Sequence, residues 1–434
     1  VTLKVTDDDN GVGTAYAELA LVNRNPVANA GGPYSGKEGQ VVQLNGSVDD
    51  PGANDTHVWS WEYISGPDDG GSCTISAPTA EDPTIKCTDD GVVKLTLTVT
   101  DDDDGVGTDE ATLTLTNAVP VVMAGSSYSG SEGSGTALTG SFTDAGANDT
   151  HTKLWTATPG AGVDGGATCS FSPNAAALTP SVTCTDDGTW QLTLTVTDDD
   201  GGAGFATASL TVSNVAPVIA TLTRTDGSAL PTTSIVAGVF KFRVPFGDAG
   251  ANDTHIAALE CEADAGFTPL GAVAKPSFDT ECTFATVGPK VISVRVTDDD
   301  GMSHVQTHSL TVKYNFDGFY APVNRPDTMN VSKAGQAIPL KWRLTDANGA
   351  PVTNLATITI QAVNLGCSLG DSNDQLEEYA AGSSGLQNQG NGYYQFNWKT
   401  PASYSSSCKS IKLVFGAGAL SYTEGPHAYF SFKK

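Results

Sequence analysis

The block Val-Thr-Asp-Asp-Asp occurs four times in the chain, its aspartate runs starting at Asp7, Asp101, Asp198 and Asp298, at spacings of 94, 97 and 100 residues. Each copy follows a stretch of alternating apolar and polar residues and precedes a turn rich in glycine or aspartate. Solenoid repeats run to about 20–50 residues, so a period near one hundred marks a whole small domain in each repeat.

Between these blocks the pattern is that of strands. Leu95, Leu97 and Val99 point one way while Lys94, Thr96, Thr98 and Thr100 point the other, and Leu192, Leu194 and Val196 repeat the alternation. A period of two gives one core face and one solvent face. Threonine and valine dominate, glycine and proline punctuate, and only DQLEEYAA, from Asp374, reads as a helical turn. The expected fold is all-β: tandem immunoglobulin-like β-sandwiches in a linear array.

A recurring Asn-x-x-Pro marks the boundaries, at Asn23–Pro26, Asn117–Pro120 and Asn214–Pro217. Proline fixes φ and leaves few free dihedrals, so these junctions read as short and stiff. The domains then run 24–117, 118–214, 215–313 and 314–434. Residues 1–23 match 95–117 almost position by position, so the chain reads as starting mid-domain with the last two strands of a partial repeat. Two strands cannot bury Leu3, Val5, Ala17, Leu19 and Leu21 by themselves. Either another copy completes them head-to-tail, which builds a filament, or they belong to a longer polypeptide.

The chain carries 49 acidic and 22 basic side chains, a net charge of −27. Such a balance repels nucleic acid and anionic membrane surfaces and favours cations as partners. No apolar run approaches the ~20 residues needed to cross a bilayer as a helix, so no membrane insertion is expected. Eight cysteines fall two per complete domain, as Cys73/Cys87, Cys169/Cys184, Cys261/Cys282 and Cys367/Cys408. Without CxxC spacing, that distribution points to one internal disulfide in each domain and a secreted, extracellular location; reduced core cysteines are the competing reading.

A second motif recurs early in three domains: DPGANDTH from Asp50, DAGANDTH from Asp144 and DAGANDTH from Asp248. In a sandwich of this class the loop holding it, the last hairpin and the start of the first strand lie at one end. Three polar sets therefore converge: Asn23, Asp50, Asn54, Asp55 and Asp101; Asn117, Asp144, Asn148, Asp149 and Asp198; Asn214, Asp248, Asn252, Asp253 and Asp298. Clustered carboxylates repel unless neutralised, and calcium, which accepts six to eight oxygens in loose geometry, suits flexible Asp/Asn loops better than magnesium. The outer aspartates Asp102 and Asp103 are expected to face solvent. The competing reading takes both motifs as turn sequences, since Asp and Asn make Asx-turns.

Residues 24–313 resemble PKD domains, the immunoglobulin-like modules of bacterial and archaeal surface proteins and of animal polycystins. The resemblance rests on Asn-x-x-Pro-Val, AGGPYSGKEG from Ala30, GSVDDPGANDTH from Gly46, Trp61 and Trp155, and LTLTVTDDDDG from Leu95. It implies a calcium site built from the linker Asn, the loop acids and the Asp of V-x-D, which are the sets above. The chain departs from the family at WSWEYISGPDDG, where W-D-F-G-D-G is usual, and at Leu259, which stands for tryptophan. GFYAPVNRPDTMNVSKAGQAIPLKWRL from Gly318, YYQFNWKT from Tyr393 and Cys408 resemble a PxKF domain, a C-terminal module of secreted bacterial proteins, with Trp342 in place of its phenylalanine.

No G-x-S-x-G elbow or other catalytic constellation appears, so no enzyme is expected. His57, His151 and His255 end the acidic loop motif in every repeat and read as scaffold; His304 and His308 share a strand face and read as structural. Tyr394, Phe396 and Trp398 point together, as core residues would, although exposed aromatic stripes also bind sugars. Sequons at Asn45, Asn54, Asn148, Asn252 and Asn330 are glycan acceptors in a competent host. The expected function is a secreted, calcium-stabilised structural or adhesive surface protein whose partners are calcium, copies of itself and cell-surface polysaccharide. The alternative is a non-catalytic polysaccharide-binding or spacer region of a larger secreted hydrolase.

Overall fold

The computed structural model describes residues 1–324, 328–355, 358–367, 372–375, 385–416 and 421–434. They fold as tandem antiparallel β-sandwiches with two short 3-10 turns, and the chain divides into two compact units, Val1–Ser213 and Asn214–Lys434. Of the DQLEEYAA segment, Asp374 and Gln375 end the strand Ser372–Gln375 and the remainder lies outside the described residues.

The first unit holds two sandwiches of the same design. In the first, Gly91–Asp101 pairs with Val106–Thr116 and with His57–Ser65, and Tyr34–Lys37 adds in parallel at the edge. The facing layers are Val41–Gln43, Thr84–Cys87 and Cys73–Ser76, together with the pair Val27–Asn29 and Ser47–Asp49. The period-two alternation produces this packing directly: Val93, Leu95, Leu97 and Val99 are fully buried while the intervening side chains face outward. Trp61 fills the centre, and its Nε1 donates to the Glu81 carbonyl at 3.1 Å. The Tyr34 hydroxyl donates to the Ala30 carbonyl at 2.7 Å and accepts from the Asn45 amide at 2.9 Å, latching the entry strand.

The second sandwich repeats each feature, with Gly188–Asp198 between Ala203–Ser213 and His151–Pro159, Trp155 at its centre and Tyr128 as its latch. In both, the disulfide joins directly opposed residues of neighbouring strands, Cys73–Cys87 and Cys169–Cys184.

Residues 1–23 form a hairpin, Thr2–Thr6 with Val12–Tyr16, in the register of the last hairpin of a complete sandwich: Val5 faces Gly13 as Val99 faces Gly107. Its second strand ends at Tyr16, before the expected Ala17, Leu19 and Leu21, which lie in irregular chain. Leu3 and Val5 stay 62% and 59% exposed, whereas their counterparts Leu97 and Val99 are wholly covered.

In the second unit the first sandwich pairs Gly288–Asp298 with Ser303–Lys313 and His255–Glu260, extends that sheet with Thr268–Val273, and faces it with Val218–Ile219, Val239–Gly247 and Ser277–Thr283. Leu259 is buried there with Phe240, Phe242, Phe246 and Phe284, aromatics supplied by the facing strands. The final sandwich packs Asn315–Tyr320, Ala337–Thr345, Tyr393–Lys399 and Leu386–Gly390 against Ile358–Leu365, Ser407–Phe415, Tyr422–Lys433 and Thr328–Lys333. Trp342, Tyr394 and Trp398 lie in its core and Phe396 is half-buried against it. Val287 and Tyr314 pack against both cores of this unit. Cys261–Cys282 and Cys367–Cys408 complete four disulfides. Among the described residues no helix is long and apolar enough to cross a membrane.

Candidate metal centre

The head of each repeated sandwich is shaped by its last hairpin. Asp101 ends the strand Gly91–Asp101, and its Oδ1 accepts the amides of Gly105 and Asp103 at 2.7 and 3.0 Å. Asp198 and Asp298 hold the amides of Gly202 and Met302 in the same way, at 2.6 and 2.7 Å. One carboxylate oxygen is thus used to close the turn. Asp101, Asp198 and Asp298 are nevertheless buried, and the second oxygens of Asp198 and Asp298 have no hydrogen-bond partner.

The acidic loop arrives beside this oxygen. In the first sandwich, Asp50, Asp55 and Asp101 each place a carboxylate oxygen within 4.8 Å of the others. Asp144, Asp149 and His151 form such a group in the second, and Asp248, Asp253 and His255 in the third. Burial, and then the charges of Asp50, Asp102, Asp103 and Asp101, raise the pKa of the Asp55 carboxyl. Burial and Asp144 push Asp149 up to about 6, and both Asp149 oxygens are buried without a hydrogen-bond partner.

Two sets of contacts aim the loop. His57, His151 and His255 place Nε2 at 2.9, 2.8 and 2.8 Å from Oδ2 of Asp50, Asp144 and Asp248. Each histidine sets the rotamer of the first loop acid, seven residues earlier. In the first sandwich the Gly52 amide and His57 together hold Asp50 below the usual carboxylate range. The second contact adds to an expectation that holds, since Asp102 and Asp103 face solvent. Asp102 is exposed, but its Oδ1 accepts the Thr56 amide at 2.9 Å. Asp199 and Asp299 accept both the amide and the hydroxyl of Thr150 and Thr254, at 2.9–3.0 Å. The second aspartate of the run therefore clamps the hairpin to the loop. The signal was present in the sequence, because each A-N-D motif continues into Thr, a residue that offers two donors.

The linker asparagines also come to this end. Asn23 Nδ2 donates to both Asp101 oxygens, at 3.1 and 3.0 Å. A Cβ built on Gly202 would meet Asp198 Oδ2 at 2.4 Å and Asn117 Nδ2 at 2.8 Å, so both groups close over that glycine. Asn117 Oδ1 and both side-chain atoms of Asn214 are buried without a hydrogen-bond partner. The loop asparagines behave differently. Asn54 is exposed and Asn252 half-buried. Asn148 turns away from its own head and donates to Asp89 Oδ2 of the preceding sandwich at 2.9 Å.

This donor set fits a hard divalent cation: convergent carboxylates, an amide oxygen, and buried oxygens whose lone pairs lack a proton donor. His304 and His308 make structural contacts. His304 Nδ1 accepts the Ile219 amide at 2.9 Å, and His308 Nε2 lies 3.1 Å from the Pro231 carbonyl. Asn330, one of the sequons, is fully buried and donates to the carbonyls of Asn324 and Tyr429, which removes it as a glycan acceptor in the folded chain.

Residues 23–116 match the PKD domain family. No curated protein matches the chain. Solved structures similar to it include a tetra-tandem repeat from the extending region of a large adhesion protein, at 15% identity and a TM-score of 0.33, covering 94% of this chain and 99% of that one. Invasin, a bacterial integrin-binding protein, is similar at 11% identity and a TM-score of 0.30, over 94% of this chain and 79% of that one. Cadherin domains 1–5 of protocadherin gamma B2 are similar at 12% identity and a TM-score of 0.22, over 100% and 86%.

Proposed function

We propose that the chain is part of a secreted, calcium-stabilised structural or adhesive surface protein whose repeated sandwiches bind calcium at their heads. The observation that carries this reading is the threefold recurrence, at equivalent positions, of convergent carboxylates beside a buried Asp101, Asp198 or Asp298. In the second sandwich Asn117, Asp144, Asp149 and Asp198 supply the oxygens; His151 and Asp199 hold the loop in place. Bound calcium neutralises the cluster and ties the linker asparagine to the domain that follows it. Four disulfides accord with an oxidising, extracellular setting. The deciding experiment is thermal unfolding of the full chain with calcium and with chelator, repeated for Asp198→Asn. Calcium raises the melting temperature of the wild type, and the variant loses part of that gain; identical curves in all four conditions would remove calcium from the account.

A second reading, polysaccharide binding, draws on the outer face of the last sandwich. There Tyr393, 44% exposed, tilts against Tyr320 with ring centroids 6.0 Å apart, beside Lys341, Gln389 and Gln395 in a hollow of about 360 Å³. An aromatic face ringed by amide and ammonium donors suits a sugar ring. Glycan-array binding that Tyr393→Ala abolishes supports it; an array without signal ends it.

A further inference from the structure

The first sandwich of the amino-terminal unit carries acids at its foot as well as its head. Glu38 sits in a turn with Gly39 at φ +67°, and Asp89 and Asp90 follow Cys87 after Thr88. Glu38 is 0% and Asp89 2% exposed. Glu38 Oε1 accepts the Ala118 amide of the linker at 2.6 Å; Oε2 is buried with no hydrogen-bond partner. The foot abuts the head of the second sandwich closely enough that a Cβ on Gly39 would lie 2.4 Å from the Ala145 carbonyl oxygen. Carboxylate oxygens of Glu38, Asp89 and Asp149 then fall within 4.8 Å of one another, as do those of Asp89, Asp90 and Asp200.

We infer that a further divalent cation of the calcium class is held between these two sandwiches, on Glu38 and Asp89 from the foot of the first and Asp149 from the head of the second, with Asp90 and Asp200 flanking it. Five carboxylates meet here, and among the described residues none of them forms an ion pair with lysine or arginine. A buried carboxylate oxygen without a donor is costly unless a cation takes the place of water. Burial comes first among the causes that push Glu38 up to about 7 and Asp149 and Asp200 up to about 6, and neighbouring aspartates add to all three. Asn148, which donates to Asp89 and to the Asp69 carbonyl, and the Asn148 amide on the Thr88 carbonyl fix the two domains around the gap. The arrangement is not accidental to one junction's sequence: S-G-x-E-G and C-T-D-D-G recur at 129–133 and 184–188, placing Glu132, Asp186 and Asp187 at the foot of the second sandwich. At the foot of the third, Val236, Thr286 and Val287 stand at the positions of Glu38, Asp89 and Asp90.

The inference rests on the head-site reading in one respect, since Asp149 belongs to both groups. Calcium titration of the full chain, with bound ions counted by equilibrium dialysis, separates the two. Glu38→Gln combined with Asp89→Asn is expected to bind one ion fewer than wild type. Its melting temperature should rise in chelator, where the uncompensated charge is gone, and fall below wild type in calcium. A purely structural role for these acids lowers the melting temperature in both media. An unchanged ion count overturns this inference while leaving the head sites standing, and a wild type that binds no calcium overturns both. If the double variant does not fold, Asp200→Asn on the exposed turn replaces it: the weakest of the bound ions should lose affinity on the order of tenfold, and unaltered affinity for every ion refutes the assignment.

Discussion

His255 Nε2 lies 2.8 Å from Asp248 Oδ2, with both side chains almost completely buried. The same seven-residue bridge joins His57 to Asp50 and His151 to Asp144 at more exposed positions. In each case the ring occupies one oxygen of the loop acid and fixes the direction of the other. His255→Ala strands a buried carboxylate, so it should cost about 1–3 kcal/mol in urea unfolding and weaken calcium binding by the third sandwich. His57→Ala, at the most exposed bridge, should cost less; equal losses at the two sites would contradict the burial argument.

The acids at the junction in the first unit give stability an inverted dependence on pH. Glu38 is pushed to about 7 from an ordinary 4.5 and Asp149 to about 6 from 3.8, so between those values the folded chain holds more protons than the unfolded chain. Stability contributed in this way is present at low pH and lost as pH rises through the folded values. In chelator the melting temperature of the amino-terminal unit should therefore fall between about pH 4 and pH 7. Calcium should flatten or reverse that slope. Calorimetry at fixed ionic strength measures both.

Gly39 combines a left-handed backbone with an approach of 2.4 Å between a built Cβ and the Ala145 carbonyl oxygen. Gly39→Ala should cost about 1–3 kcal/mol. The loss should appear locally, as faster hydrogen exchange at the Ala118 and Asn148 amides, while exchange in the strand Gly91–Asp101 stays slow.

Much of this organisation was legible in the chain before any coordinates. Alternation placed Leu95, Leu97 and Val99 inside because a strand has only two faces, and repetition of D-x-G-A-N-D-T-H beside V-T-D-D-D put the acids at one end because a sandwich's loops have only two ends to occupy. What escaped was whatever depends on the domain next door. Asn148 looks like a ligand of its own loop until the foot of the first sandwich supplies Asp89 as acceptor. Glu38 and the Asp89/Asp90 pair look like turn residues until the second sandwich closes over them. Asp102 looks like surplus charge until Thr56 is seen beneath it. Contacts across a junction leave no periodicity in the sequence, only repeated short words whose partner lies about a domain away.

The disulfide Cys73–Cys87 closes a loop with a sequence separation of 14. Replacing both residues by serine should remove about 3 kcal/mol of stability on the loop-entropy estimate. The two strands remain hydrogen-bonded neighbours, so the fold should survive. Denaturant unfolding of reduced wild type provides the matched control.

The bare hairpin at residues 1–23 calls for a cover over Leu3 and Val5. If a second copy of the chain supplies it, sedimentation velocity will show concentration-dependent assembly, and Leu3→Asp with Val5→Asp will abolish it. A wild type that stays monomeric at every concentration rules out a second copy as the cover.

Val287 and Tyr314, packed against both cores of the carboxy-terminal unit, weld its two sandwiches with the same oily contact that holds each together. The junction in the amino-terminal unit is made of opposed carboxylates. If the proposed ion is held there, a drop in dissolved mineral ions would loosen the joint of the amino-terminal unit while that of the carboxy-terminal unit stayed shut.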